Sequence, residues 1–288
     1  MKKILLIGKT GQLGGELIKD ASSFGFEIFA FDKDELDVTD ESQIRQKIKE
    51  INPDILINTT AYNAVAKCEI DPSPAMELNF IAVQNLTKLC KENNIVFVTY
   101  STDYVFDGKK GKPYEENDIP NPLQAYGSSK LKGEYAALSI YPKGTFLIRT
   151  CGLYGGKRGS PEKGNFVLNI MNEAQEKEVI EVSSEQIASP TYAGDLSKAT
   201  LKLLGSKAEP GIYHLISEGH CSWYMFAKEI FRLEGIKKEI SPVDRGGSEG
   251  AMQRPKFSAL KNTKAKAMGI ELPSWQEGLR SYINFLKQ

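Results

Sequence analysis

Three residues in this chain have the types and spacing for carbonyl chemistry. Tyr126 and Lys130 stand four apart in Ala-Tyr-Gly-Ser-Ser-Lys-Leu-Lys-Gly-Glu, and Ser101-Thr102-Asp103 lies some two dozen residues before them. On a helix that spacing puts the phenol and the ammonium on one face, about 5–6 Å apart at their Cβ atoms. A phenol titrates near ~10 and is a poor acid–base group at neutral pH. A neighbouring ammonium stabilises the phenolate and draws its pKa toward the working range, as proton transfer to or from a sugar or alcohol oxygen requires. Thr102 adds a second hydroxyl to polarise the same carbonyl. Tyr-x-x-x-Lys also arises on solvated helix faces, so the weight falls on the elements that position it.

The first of these is a strand, Lys3–Ile7, running into Gly8-Lys-Thr-Gly11-Gln-Leu-Gly14-Gly15 and then a helix from Glu16. Such a turn lets backbone approach a pyrophosphate, whose charge meets the helix N-terminal N–H groups. The spacing is G-x-x-G-x-x-G rather than the commoner G-x-G-x-x-G. A second strand, Glu27–Phe31, ends at Asp32. It lies about 20 residues on, where a carboxylate takes the adenosine ribose hydroxyls. Lys33 follows, and a basic residue there suits a 2′-phosphate, so the pattern admits NADPH or NADH; a solvated turn over Asp32–Glu35 is the alternative.

Periodicity predicts a helix from Asp40 to Ile51 and a buried strand Asp54–Asn58 whose end, Thr59-Thr60-Ala61-Tyr62, passes the cofactor. Residues 73–93 read as one long amphipathic helix, with Asn79 either orienting a loop or exposed. Strand Ile95–Val98 follows, with Ser101–Asp103 just past its end, then a polar loop from Asp107 to Pro122, the Tyr126 helix and strand Thr145–Arg149. Ligands of open α/β sheets bind at that carboxyl edge. The expected fold is α/β, a Rossmann-type doubly wound parallel sheet with a small C-terminal substrate-binding lid. Residues 1–150, with about 190–220, form the dinucleotide-binding domain, and about 151–189 and 221–288 the substrate-binding domain. Within the second part we expect a flexible loop at Gly155–Pro161, a helix Asn165–Ala174, strands Val179–Val182 and Gly211–Ile216, helices Trp223–Glu234 and Pro273–Lys287, and a Gly-rich loop Asp244–Pro255.

At 288 residues and 41% hydrophobic, the chain can bury a core. Thirty-seven basic against 37 acidic residues speak against nucleic acid or a membrane surface as partner and favour a small molecule. The opening Met1-Lys-Lys-Ile-Leu-Leu-Ile7 resembles a signal start, but its apolar run stops at Gly8, and none approaches the ~18 residues of a membrane span. Four scattered cysteines without Cys-x-x-Cys, and two histidines, argue against zinc or any metal centre and for a reduced, cytoplasmic setting.

Gly11-Gln-Leu-Gly14, Thr60-Ala-Tyr62, Ser101-Thr-Asp-Tyr-Val-Phe-Asp-Gly108, Tyr126-Gly-Ser-Ser-Lys130, Arg149-Thr150, Asn165-Phe-Val, Ser189-Pro-Thr191, Ser222-Trp223 and Arg254-Pro255 together resemble the dTDP-4-dehydrorhamnose reductases, extended members of the short-chain dehydrogenase/reductase superfamily. The resemblance implies NAD(P)H-dependent reduction of the 4-keto group of dTDP-4-dehydro-L-rhamnose to dTDP-L-rhamnose for cell-surface polysaccharide. It implies that Tyr126 is proton donor, that Lys130 holds the nicotinamide ribose, and that Thr102 binds the sugar oxygen. Gly8, Gly11, Gln12, Leu13 and Gly14 would cradle the pyrophosphate, Asp37 and Val38 flank the adenine, Ala61 and Tyr62 line the cofactor, and Asp103, Asn165 and Arg254 contact the nucleotide sugar. Some members use Mg²⁺ at a subunit contact, which leaves a homodimer open; Glu16 would belong to such a site, though a Glu at a helix start is more often a dipole partner.

Three positions depart from the family pattern. Cys151-Gly152 replaces Ser-Trp, removing an aromatic wall; Ala66 replaces an acid; Glu185-Gln186 replaces Asp-Gln. A related dehydratase would carry Asp-Glu after the threonine where this chain has Asp103-Tyr104. Another nucleotide-sugar reductase or epimerase, and the non-catalytic regulatory subunit of methionine adenosyltransferase, are the alternatives.

Overall fold

Five apolar runs become strands because each is covered on both faces: β1 (Lys2–Ile7), β2 (Phe26–Phe31), β3 (Ile55–Asn58), β4 (Val96–Thr102) and β5 (Thr145–Thr150). With Gly211–His214 they make a six-stranded parallel sheet in the order Gly211–His214, β5, β4, β3, β1, β2. The computed structural model describes residues 1–157, 164–244, 248–249 and 252–288.

Strand side chains alternate between faces. Ile4 and Leu6 of β1 enter one core with Leu13, Leu17, Leu196 and Leu203, while Leu5 and Ile7 enter the other with Ile44, Ile48, Leu86 and Leu89. Helix Gln12–Asp20 and helix Ala193–Gly205 cover the first face. The second is covered by Glu41–Ile51, Ala82–Glu92 and part of Ala125–Ile140. The order reverses at β1, which lies between β2 and β3, and that switch point opens the crevice where such sheets bind ligands.

Three elements differ from expectation in ways that matter for the site. The first helix starts at Gln12 rather than Glu16, so Gly14 and Gly15 lie inside it and the turn is only Gly8–Gly11. β4 runs through Thr102, so Ser101 and Thr102 lie within the strand, in register with Arg149 and Thr150. The long helix expected over 73–93 is broken into Ser73–Met76, a π turn Glu77–Ile81 and Ala82–Glu92. Buried Asn79 sits in that π turn: its Oδ1 accepts from the Tyr62 N–H (2.9 Å) and its Nδ2 donates to the Tyr62 carbonyl (2.9 Å) and to Ser129 Oγ (3.0 Å). The extra residue in the turn thus ties the β3 loop to the Tyr126 helix.

A third core gathers Tyr154, Val167, Ile170, Ile180, Phe226, Ile230, Leu279 and Tyr282 around helices Phe166–Glu176, Trp223–Glu234 and Trp275–Leu286. Its sheet is a parallel pair, Val179–Ser183 with Glu239–Val243. Leu153–Tyr154 pairs with Thr191–Tyr192, and Ala265, Ile270 and Leu272 pack into the first core under the main sheet. Of the two expected loops, residues 158–161 and 245–247, 250 and 251 lie outside the described residues. Among the described residues no helix is long and apolar enough to cross a membrane.

Candidate active site

A cleft of about 1020 Å³ runs along the carboxyl edge, from the glycine turn past β3, β4 and the Tyr126 helix to the C-terminal core. Gly8, Gly11, Gln12, Leu13, Lys33, Asp37, Val38, Ala61 and Tyr62 line one end; Thr102, Asp103, Tyr126 and Lys130 line the middle; Asn165 and Arg254 line the far wall. Gly14 and Asp32 do not line it.

The glycine turn is held by backbone. A Cβ on Gly14 would fall 2.2 Å from the Gly8 carbonyl oxygen, so that position admits no side chain while the turn keeps its shape. Gly11 precedes helix Gln12–Asp20 and gives it no side-chain cap, nor is there an acid in the first turn. An N-terminus left so is suited to an anion. The Asp32 carboxylate is committed elsewhere: it accepts from the Asp34 and Glu35 N–H groups (3.1 and 3.2 Å) and pairs with Lys9 (3.4 Å). Lys33, its neighbour, lines the cleft.

The Tyr126 helix is pinned by close backbone contacts and its cap. Gln124 Oε1 accepts from the Gly127 N–H (2.6 Å), and a Cβ on Gly127 would meet the Tyr104 carbonyl at 2.2 Å. Thr102 and Tyr126 both line the cleft, the Thr102 hydroxyl draws the Tyr126 phenol downward against its burial, and Thr102 Oγ1 donates to Asp103 Oδ1 (3.1 Å). Asp103 is buried, with Ser258 and Cys151 as further partners, and burial pushes its carboxyl up. Tyr104 stands edge-on to Tyr126 (centroids 6.2 Å apart, planes at 78°) and its hydroxyl accepts from Arg254 Nη1 at 2.8 Å.

The titration of the pair differs from the sequence expectation. Burial, then the Asp103 carboxylate, hold the Tyr126 phenol above its ordinary value; Lys130 is not what governs it. Lys130 itself is buried, and burial lowers it to about 8 against the opposing pull of Glu134. Glu134 is one turn on, bound bidentate to buried Arg149 of β5 (Nε–Oε1 2.9 Å, Nη2–Oε2 2.6 Å). The sequence held the signal for it, an acid four residues beyond Lys130, but nothing local pointed to its arginine.

Asn165 is buried and joins the two ends of the cleft. Its Oδ1 accepts from the Leu168 N–H (3.0 Å) as a helix cap, while its Nδ2 donates to Gln12 Oε1 (3.2 Å), the Gly155 carbonyl (3.2 Å) and Tyr282 Oη (2.9 Å). The aromatic wall expected to be missing at Gly152 is present by another route, since Trp223 and Phe166 both line the cleft with rings 4.6 Å apart. Glu16 is buried, accepts from the Tyr192 hydroxyl (3.5 Å) and pairs with Lys19 (3.6 Å).

The whole chain, residues 1–288, matches the family model described as RmlD substrate binding domain. It is 35% identical to the spore coat polysaccharide biosynthesis protein SpsK of Bacillus subtilis, over 98% of this chain and 97% of that one. It is 33% identical to the dTDP-4-dehydrorhamnose reductase of Aggregatibacter actinomycetemcomitans, over 98% of each. A solved dTDP-4-dehydrorhamnose reductase of Bacillus anthracis in complex with NADP superposes with a TM-score of 0.92 at 34% identity, covering 99% of both chains. With its parallel sheet, glycine turn and Thr102, Tyr126 and Lys130 on one cleft, the chain belongs to the RmlD substrate binding domain family, that of the dTDP-4-dehydrorhamnose reductases.

Proposed function

We propose that this protein reduces the 4-keto group of dTDP-4-dehydro-L-rhamnose to the alcohol, with NADPH as preferred reductant. The observation that carries the reading is one cleft lined by the uncapped glycine-turn helix at one end and by Thr102, Tyr126 and Lys130 in its middle. The residues 1–150 with about 190–220 serve as the dinucleotide half, and 151–189 with 221–288 as the substrate half.

The residues suit the cofactor: Gly8, Gly11, Gln12 and Leu13 line the turn, Gly14 behind them lets the helix close on the Gly8 carbonyl, Asp37 and Val38 flank the adenine, and Ala61 and Tyr62 border the rest. Bound NADPH supplies the hydride. Lys33 in the cleft, with Asp32 already paired to Lys9, favours a 2′-phosphate over a bare ribose.

Thr102 and Tyr126 hold the keto oxygen between their hydroxyls. Burial keeps the Tyr126 phenol protonated at neutral pH, the form a donor needs, and the proton passes to the oxygen as charge develops there. Lys130, charged below about 8, holds the nicotinamide ribose and balances the phenolate left behind. Asp103, Asn165 and Arg254 bound the sugar-nucleotide end.

Incubation with dTDP-4-dehydro-L-rhamnose and NADPH, followed by nicotinamide absorbance, tests this. Consumption with NADPH, slower with NADH, is expected. Consumption with neither contradicts the reading and favours a cofactor-binding module.

A further inference from the structure

Gly152 and Trp223 compete for one piece of space at the reacting end of the cleft. Gly152 follows β5 by two residues, and Thr150 of β5 is in register with Thr102. Its φ of +53° lies in the left-handed region that side chains rarely adopt. A Cβ there would fall 3.0 Å from Trp223 Cη2 and 3.2 Å from Pro190 Cα. The indole therefore rests on bare backbone, over ground that any side chain at 152 would take.

The indole is also braced. The main-chain N–H of Trp223 donates to the Gln186 carbonyl (3.3 Å), its ring meets Phe166 at 4.6 Å, and Phe226 stands edge-on behind it at 5.9 Å. Trp223 is half-buried, and both it and Gly152 line the cleft. A large apolar face fixed on three sides and open on the fourth is a platform for the apolar face of a ligand.

We propose that Trp223 is the wall against which the sugar ring packs, and that Gly152 sets where this wall stands, the two forming a specificity-determining pair. The inference rests on the function proposed above. It adds that the sugar-facing aromatic comes from the Trp223–Glu234 helix rather than from the segment after β5, and that enlarging residue 152 pushes it into the sugar's place.

Trp223 and Trp275 are the two tryptophans, so in a Trp275→Phe background emission reports on Trp223 alone. Titration with dTDP-L-rhamnose is expected to change that emission, while dTDP alone leaves it unmoved. In steady state, Gly152→Ala is expected to raise KM for the sugar nucleotide about tenfold with kcat and the KM for NADPH little changed. Trp223→Leu in the Gly152→Ala chain should recover part of that loss, because the clash is gone. An emission unmoved by dTDP-L-rhamnose, or moved equally by dTDP, overturns the inference, as does strict additivity of the two substitutions. Absence of NADPH consumption by the unmutated chain overturns the proposed function and this inference together; normal consumption with an unmoved Trp223 signal overturns this inference alone.

Discussion

The two ends of the cleft are built by different means. The glycine turn at the proposed cofactor end is one continuous segment, β1 into Gly8–Gly11 into helix Gln12–Asp20, and its shape is fixed by backbone approaching backbone, as the 2.2 Å between a Gly14 Cβ and the Gly8 oxygen requires. The proposed sugar end draws Gly152, Phe166, Trp223 and Arg254 from separate segments, held by ring contacts and the Arg254–Tyr104 hydrogen bond. Backbone donors suit a part shared by every dinucleotide, its phosphates. Side chains from separate segments can change one at a time, which suits the part that differs between substrates. Tyr126 stands where the two meet.

The contrast can be broken at that meeting point first. Tyr126→Phe removes only the proton donor, so turnover should drop by roughly 10²–10⁴-fold while NADPH still binds as before. Unchanged turnover, read by nicotinamide absorbance, would put the acid elsewhere. At the cofactor end a single methyl should suffice: Gly14→Ala forces the turn open and should weaken NADPH up to about 100-fold, measured by nucleotide fluorescence titration. Sugar-nucleotide affinity should barely follow.

The pH profile sharpens the middle of the cleft. Lys130 is lowered by burial to about 8 in the free protein, so kcat/KM should fall as pH rises through about 8, by about tenfold one unit higher. Stability should move the other way. The unfolded lysine at 10.5 binds its proton more tightly than the folded one, so the cost of burying the charge is present below about 8 and is relieved between there and 10.5. Glu134 opposes the lowering, and Glu134→Gln should shift the descending limb to lower pH; an unshifted limb would separate Glu134 from Lys130. The smallest effect is expected at Lys33, where Lys33→Ala should narrow the NADPH over NADH preference by only a few-fold, as for one exposed charge, in paired kcat/KM measurements.

The strand and the glycine turn after it were legible in the sequence because their determinants are local, though the helix start, read at Glu16, falls at Gln12. The Tyr126–Lys130 spacing and the parallel sheet could be read for the same reason, each being a matter of periodicity. Long-range packing hid the rest. Nothing near Asn79 announces a π turn tied to Tyr62, and nothing near Gly152 announces that Trp223, some seventy residues later, lies across it. The Tyr126 phenol went the other way from the sequence expectation because spacing reveals a charged neighbour but not burial, and burial dominates.

Most direct for the account as a whole is an isotope experiment. With NADPH carrying deuterium at the transferring position of its nicotinamide and dTDP-4-dehydro-L-rhamnose as acceptor, deuterium should be recovered at C4 of the product sugar. Product without deuterium at C4, or deuterium at another carbon, would contradict it.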